Sequence, residues 1–338
     1  MNWEQLSAQT LDGAFPHLAP FSAPVRVPGG FLNYVWRATA AHGSVVVKRA
    51  PPWAASVPQM SMSPQRLLLE ARALRQFEHA PLNGLLSEGV RPPHLLGFCR
   101  AAWLLLEEDV GTGPDLSKAL PDPGPFTVLG AFIAGLHRET SGSELFRRRF
   151  ANVDIQRTRL TSQYGHIGAF AARAGAEDAE RLGAVALDLG RRLVEPGRCL
   201  VMGDLWPASV LLRPEGLRVI DWEFATYGNP AQDVGHLVAH LVLLTLSNEP
   251  AEGAIDAFLT SYRAGLGARL GELWDAGVHR DAGIHLGCEL LARAWGPFPT
   301  SCGLDETAPA RATAAGLAAL RQPAAVPSLE VLNPARRL

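Results

Sequence analysis

The chain has 338 residues, of which 31 are Lys or Arg and 33 are Asp or Glu, so 19% is charged against 47% hydrophobic, with a formal net charge of −2. That is a globular balance, and the length suits two lobes that can each bury a core. So little net charge offers no global basic field, which argues against nucleic acid or a membrane as partner and leaves any phosphate chemistry to local charge.

The four cysteines, at positions 99, 199, 288 and 302, show no C-x-x-C spacing and are too sparse to staple the chain. They read as reduced thiols in a cytoplasmic enzyme without structural zinc. The opening MNWEQLSAQTLDG lacks the charged and apolar regions of a signal peptide, and no membrane span is expected, since the longest apolar stretch, Leu237 to Leu246, falls well short of ~20 residues.

Residues 25–49 contain two β-branched or aromatic runs bounded by turn signals and predict two antiparallel strands. A Pro/Ser/Met-rich loop is expected from Pro51 to Pro64. The apolar positions 67, 68, 71, 74 and 77 then fit one helical face. A strand-like AAWLLLEEDV follows and ends at Gly111, before a Gly/Pro-rich stretch to Pro125. Beyond Phe126 the period is mainly helical, with one interruption from Arg198 to Trp222, where two short strands flank a Pro-Glu-Gly turn. Helix resumes from Asp233 to about Leu246 and again in two or three segments between Ile255 and Leu320. The Pro/Ala-rich end reads as a loose tail. No 20–50-residue repeat is visible, which excludes solenoids and propellers.

The chemistry concentrates in V-M-G-D-L-W-P-A-S-V-L-L, residues 201–212, and V-I-D-W-E-F-A, residues 219–225. Asp204 follows a strand, Ser209 comes five residues later, and Asp221 lies seventeen residues beyond Asp204 at the end of the next strand. Phosphoryl transfer needs a base beside the nucleophile and oxygen ligands for Mg²⁺ on the triphosphate, and protein kinases place such groups in this order. Either aspartate alone would more often cap a turn. Their spacing, upstream of Asp233-Val234-Gly235-His236, favours the catalytic reading.

The pair G-D-L-W-x-x-S/N and D-W-E-F-x-x-Y-G-x-x-x-x-D-x-G resembles the aminoglycoside phosphotransferase/choline kinase superfamily. Within it the chain is similar to the methylthioribose kinase-like branch and to fungal small-molecule kinases of the 4-hydroxytryptamine kinase type. The resemblance extends upstream to G-G-F-L-N-x-x-W-R, V-V-V-K and E-D-V-G, over roughly residues 25–300. It implies an α+β, bilobal protein-kinase-like fold with a small antiparallel-sheet N-lobe and a larger, mostly helical C-lobe. The expected divisions are a nucleotide-binding lobe at 1–107, a helical lobe at 108–322 with a catalytic hairpin at about 198–235, and a tail at 323–338.

The resemblance implies ATP and Mg²⁺ as cofactors and a small-molecule hydroxyl as acceptor. Asp204 is then the catalytic base. Gly29, Gly30 and Asn33 form a strand-turn-strand over the nucleotide, where paired glycines suit close backbone approach to phosphate. Lys48 would position the phosphates with Glu70 as its helix partner and Glu78 as the weaker candidate. Glu107, Glu108, Asp109 and Val110 match the inter-lobe segment whose backbone bonds adenine. Asp221, Trp222 and Glu223 complete the nucleotide and metal side.

Two positions depart from the superfamily pattern. Met202 stands where most members have His, and Ser209 replaces the usual metal-binding Asn. The methylthioribose kinases share a Ser here with D-x-E downstream, which implies Ser209, Asp221 and Glu223 as the metal set. Asp221 and Glu223 converge on one cation if the backbone stays extended through Trp222.

For the acceptor, Asp204, Trp206, Arg293 and Trp295 are the candidates, on a segment without the acidic cluster that several ammonium groups would need. That favours an aromatic or uncharged alcohol over an aminoglycoside-type antibiotic. His236 and His240 are four apart on a predicted helix, but no third metal ligand is evident and packing is the favoured reading. His137 reads as structural. The rival from another class is a pseudokinase or nucleotide-binding scaffold, motivated by Met202 and Ser209. No A-P-E segment or room for an activation loop follows Asp221, which weakens a protein-kinase assignment.

Overall fold

The computed structural model describes residues 2–28, 30–247, 251–297 and 308–325. Its first lobe is built on a five-stranded antiparallel sheet with strands in the order Val25–Arg26, Tyr34–Ala40, Gly43–Arg49, Leu104–Glu108 and Leu95–Cys99. Two of the strands form the expected hairpin, with Val35 opposite Lys48 and Trp36 opposite Val47. Alternation along Val45-Val46-Val47 sends Val45 and Val47 into the apolar layer beneath Trp36, Leu104 and Leu106. Lys48 therefore points from the opposite face, into the space between the lobes.

The helix Arg66–Gln76 closes that face. Three sequence readings in this lobe change. The Pro51–Pro64 loop contains a small hairpin, Trp53–Ala54 with Val57–Ser61. The single strand expected in AAWLLLEEDV is Leu104–Glu108, and it pairs with Leu95–Cys99, which its Gly and Pro neighbours conceal. The start of the first lobe also carries a helix, Ala8–Ala14, capped by Ser7.

The second lobe packs the helix Gly124–Thr140 against Glu252–Leu266, and Ala231–Leu246 against Ala276–Trp295, around Phe126, Phe132, Leu237, Leu241 and Phe258. Ala179–Val194 and Ile167–Arg173 form an adjoining layer. Between the lobes lies the hairpin Val210–Arg213 with Gly216–Val219, in antiparallel register, and Cys199–Val201 pairs with Thr226–Gly228. Gly216 turns this hairpin at φ 112°, a left-handed conformation suited to glycine. The expected tail begins ordered: Pro323–Ala325 makes a turn against Gly283, and residues 326–338 lie outside the described part. No helix among the described residues is long and apolar enough to cross a membrane.

Candidate active site

Asp204 stands at the junction of two cavities. The larger, ≈ 1000 Å³, lies under the sheet and is lined by Gly30, Val46, Lys48, Val110, Ile220 and Asp221, among others. The smaller, ≈ 140 Å³, sits in the second lobe under Phe31, Leu32, Met60 and Met62. Asp204 and Trp206 line both.

The loop carrying Asp204 is held by backbone contacts. Asp233, fully buried at the start of the helix Ala231–Leu246, accepts the amides of Met202 at 2.8 Å and Gly203 at 2.7 Å. His137 Nε2 lies 3.1 Å from the same carboxylate, and its Nδ1 meets the Tyr262 hydroxyl at 2.9 Å. His137 is thus structural, as the sequence suggests, and the loop is braced without a histidine at 202. The Met202 side chain simply fills the core. Gly203 turns at φ 84°, and a Cβ there would lie 2.5 Å from the Phe224 carbonyl oxygen.

Asp204 itself is paired with Arg159, Nη2 to Oδ1 at 2.7 Å, and faces His236 Nε2 at 3.3 Å. Burial pushes its carboxyl up to about 6 against the opposing pull of Arg159 and Arg293. A carboxylate near 6 is a better proton acceptor than an exposed aspartate while staying ionised at neutral pH.

Lys48 is the ionic hub of the larger cavity. Its Nζ lies 2.6 Å from Glu70, 2.7 Å from Asp221 and 3.1 Å from Glu107. Burial alone would lower the ammonium, but these three carboxylates hold it well above its usual value. Glu70 is the partner the sequence favours over Glu78, which is exposed. Glu107 differs from expectation, because strand alternation turns its side chain inward to Lys48. Burial raises it to about 8. Glu108 is held by Arg91 at 2.5 and 2.7 Å, and Asp109 by Arg37 at 2.6 and 2.9 Å, so both side chains fix the connection between the lobes. Their positions and Val110 line the larger cavity.

The metal candidates separate. Asp221 takes a left-handed conformation, φ 65°, and Trp222–Phe224 forms a 3₁₀ turn, so the extended run that would align Asp221 and Glu223 is absent. Both still line the larger cavity. Glu223 is gripped by Asn33 Nδ2 at 2.9 Å and Arg66 Nε at 3.0 Å, and burial raises its carboxyl to about 8. Asn33 therefore holds Glu223 through its side chain. Ser209 is fully buried and turned into its own loop, donating to the Trp206 carbonyl at 2.8 Å and accepting the Trp206 amide at 3.2 Å. The hydroxyl is too short to reach the cavity from there. Gly29 lies outside the described residues, whereas a Cβ on Gly30 would stand 2.4 Å from the Asn33 carbonyl oxygen.

On the acceptor side, Arg293 lines the smaller cavity and lies 5.9 Å from the Trp206 ring centre. Trp295 does not join it. Two residues along a helix are ~200° apart, so Trp295 faces away, donating to Thr313 at 3.0 Å under the Arg173 guanidinium. Sequence reasoning misses Arg159, Gln163 and Glu289, all of which line the smaller cavity. Only Glu289, one helical turn before Arg293, carries a local signal.

The cluster around Lys48 fits a divalent cation. Four carboxylates, Glu70, Glu107, Asp221 and Glu223, face two cations, Lys48 and Arg66, and two of the acids are pushed to about 8. An all-oxygen donor set suits a hard ion.

The model of the phosphotransferase enzyme family matches residues 25–274. The chain is 28% identical over 264 residues to 4-hydroxytryptamine kinase of Psilocybe cyanescens, covering 70% of this chain and 73% of that one. It is 26% identical over 257 residues to methylthioribose kinase 2 of Oryza sativa subsp. japonica, covering 66% of this chain and 57% of the rice enzyme, a little over half its length. Among solved structures, spectinomycin phosphotransferase in complex with ADP and spectinomycin superposes with a TM-score of 0.52 at 11% identity over 98% of both chains. Amicoumacin kinase in complex with AMP-PNP and Ca²⁺ gives 0.54 at 14% identity over 92% of this chain and 88% of the other. The structural matches bear out the bilobal α+β fold, and the family model, spanning most of the sequence and both halves of the site, shows that this chain belongs to the phosphotransferase enzyme family.

Proposed function

We propose that the chain transfers the γ-phosphate of ATP to a hydroxyl of a small, largely apolar or aromatic molecule. The observation that carries this reading is Asp204, which borders both the larger cavity, where Lys48 and Asp221 stand, and the smaller one. A phosphate donor in the first and a hydroxyl in the second would meet at its carboxylate.

In this reading Asp204 orients the acceptor hydroxyl and takes its proton as the acceptor oxygen bonds to the γ-phosphorus and the bond to the bridging oxygen of ADP breaks. Arg159 keeps Asp204 ionised and aimed. Lys48, held by Glu70, positions the α- and β-phosphates, and the 107–110 strand end presents backbone groups to the base. Asp221 is the principal ligand for Mg²⁺, with Glu223 beside it. The metal supplies charge neutralisation on the triphosphate. Ser209 braces the loop and gives the metal no direct contact. Positioning and fixed charge provide most of the rate.

The acceptor class follows from the lining. Phe31, Leu32, Met60, Met62, Phe224 and Trp206 offer apolar and aromatic surface. Such a wall suits a flat or aliphatic alcohol, and the similarity to a kinase named for a hydroxylated tryptamine supports it. A polyammonium sugar would lose hydration against these side chains, and the two carboxylates of the lining, Asp204 and Glu289, are already paired with Arg159 and Arg293.

The test is ATP turnover with Mg²⁺ against a panel of phenols, indoles, simple alcohols and aminoglycosides, with Asp204→Asn as control. Turnover of aromatic alcohols lost in the variant supports the reading. Preferential turnover of aminoglycosides overturns the acceptor class, and nucleotide binding without phosphorylation of any acceptor favours a scaffold.

A further inference from the structure

The helices Ala231–Leu246 and Ala276–Trp295 cross closely beside the smaller cavity, because Gly235 sits against Ala282: a Cβ at 235 would lie 2.6 Å from the Ala282 carbonyl oxygen. The close crossing brings His236 and His240, one turn apart on the first helix, against Glu289 on the second. All three are buried, at 1%, 2% and 3% exposure. His236 Nδ1 lies 3.5 Å from Glu289 Oε2 and His240 Nε2 lies 3.5 Å from Glu289 Oε1. One donor atom from each residue falls within 4.8 Å of the other two.

This is the third ligand that the sequence conceals. Neither nitrogen makes a hydrogen bond of acceptable geometry among the described residues. The Asp204 carboxylate stands 3.3 Å from His236 Nε2, which likewise makes no hydrogen bond among the described residues. With the proton on Nε2, His236 Nδ1 would present a lone pair to the Glu289 carboxylate, an arrangement that costs free energy unless a cation lies between them.

We infer that His236, His240 and Glu289 form a binding site for one zinc-class divalent ion, with a fourth position open to the smaller cavity. In a tetrahedral site with metal–ligand bonds of about 2.0–2.2 Å, neighbouring donor atoms stand roughly 3.3–3.6 Å apart, and each imidazole already stands at such a distance from one Glu289 oxygen, His236 from Oε2 and His240 from Oε1. Two imidazoles and one carboxylate are a donor set that zinc takes with one position open. His236 and Glu289 line the cavity, which sets the direction of that opening.

The surroundings resemble outer partners of a metal site. The Asp204 carboxylate lies 3.3 Å from the far nitrogen of His236, the place of an outer partner to a metal-bound imidazole. Gln163 Nε2 and Arg293 Nε each donate to one Glu289 oxygen at 2.5 Å, leaving a second lone pair on each. Because Arg293 shares the Glu289 charge, the imidazoles set selectivity, favouring zinc over magnesium. The site is separate from the oxygen-only cluster around Asp221.

The test uses the full chain without nucleotide or acceptor, so its outcome is independent of the proposed phosphotransfer. Protein equilibrated with zinc chloride in excess magnesium, then desalted, should retain about one zinc per chain by elemental analysis. His240→Ala and Glu289→Gln should lose it, and His166→Ala, on the exposed surface, should keep it. Wild-type protein without retained zinc, or equal retention by a folded His240→Ala variant, overturns the inference. Should the buried variants fail to fold, cobalt substitution of the wild type decides. The visible absorption of four-coordinate cobalt bound through nitrogen and oxygen supports the site, and the spectrum of six-coordinate, oxygen-bound cobalt overturns it.

Discussion

Asp204 shows how little of a residue's chemistry belongs to the residue alone. Its carboxyl is raised to about 6 by burial, and Arg159 at 2.7 Å opposes the rise. Since the proposed base acts deprotonated, turnover should fall as pH drops through about 6. Arg159→Met removes the group that favours the ionised form, so the acid limb of the kcat/KM profile should move to higher pH. An unmoved limb would disconnect Arg159 from catalysis. Asp204→Asn should lower kcat by about 10²–10⁴-fold while nucleotide affinity, measured by calorimetry, stays near wild type. For the metal, magnesium titration of turnover should show a much higher midpoint in Asp221→Asn and a small change in Ser209→Ala. Ser209 touches only its own loop, so a larger shift from Ser209→Ala would reverse the assignment.

At the scale of elements, the Asp204 loop is a strand end held by a helix start. Asp233 accepts two loop amides from the first turn of Ala231–Leu246, and Gly203 supplies the left-handed turn between them. Gly203→Ala should therefore be costly twice: about 1–2 kcal/mol from the positive φ, and more from a Cβ 2.5 Å from the Phe224 carbonyl oxygen. The expected result is a lowered thermal midpoint together with loss of turnover. Wild-type turnover at a temperature where the variant is fully folded would show that the loop geometry is not required. The motif G-D-L-W was legible in sequence because turn, acid and aromatic are adjacent. The brace was not, since His137, Asp233 and Tyr262 meet only when three helices pack.

Across the whole molecule, an apolar stack and an ionic hub are among the contacts that join the lobes. Trp222 is fully buried with its ring centre 4.9 Å from Phe77, which stacks on Phe132 at 5.8 Å, linking the end of the first-lobe helix to the second-lobe core. Trp222→Ala should cost about 3–5 kcal/mol in urea unfolding. A loss under 1 kcal/mol, on the order of a surface substitution, would mean that the stack is dispensable. Above it, Lys48 ties Glu70 and Glu107 of the first lobe to Asp221, which follows the hairpin of the second. Lys48→Met leaves three carboxylates facing one another, so nucleotide affinity should fall sharply. Unchanged affinity and turnover would remove Lys48 from the site.

The family and the two-lobed plan were readable from the chain, and Asp204 and Asp221 stood out as candidates, because their signals are local: alternation in Val45–Val47, turns at Gly203 and Gly216, short motifs around each aspartate. Packing decided the rest. Asn33 and Glu223, 190 positions apart, become hydrogen-bond partners, Ser209 turns inward, Trp295 leaves the pocket that Arg293 enters, and Glu289 arrives opposite His236 and His240. The physical reason is the range of each interaction. Strand alternation, helical period and turn chemistry act within a few residues. The direction of a buried side chain depends on which distant surface excludes water around it, and that is known only once the helices have met.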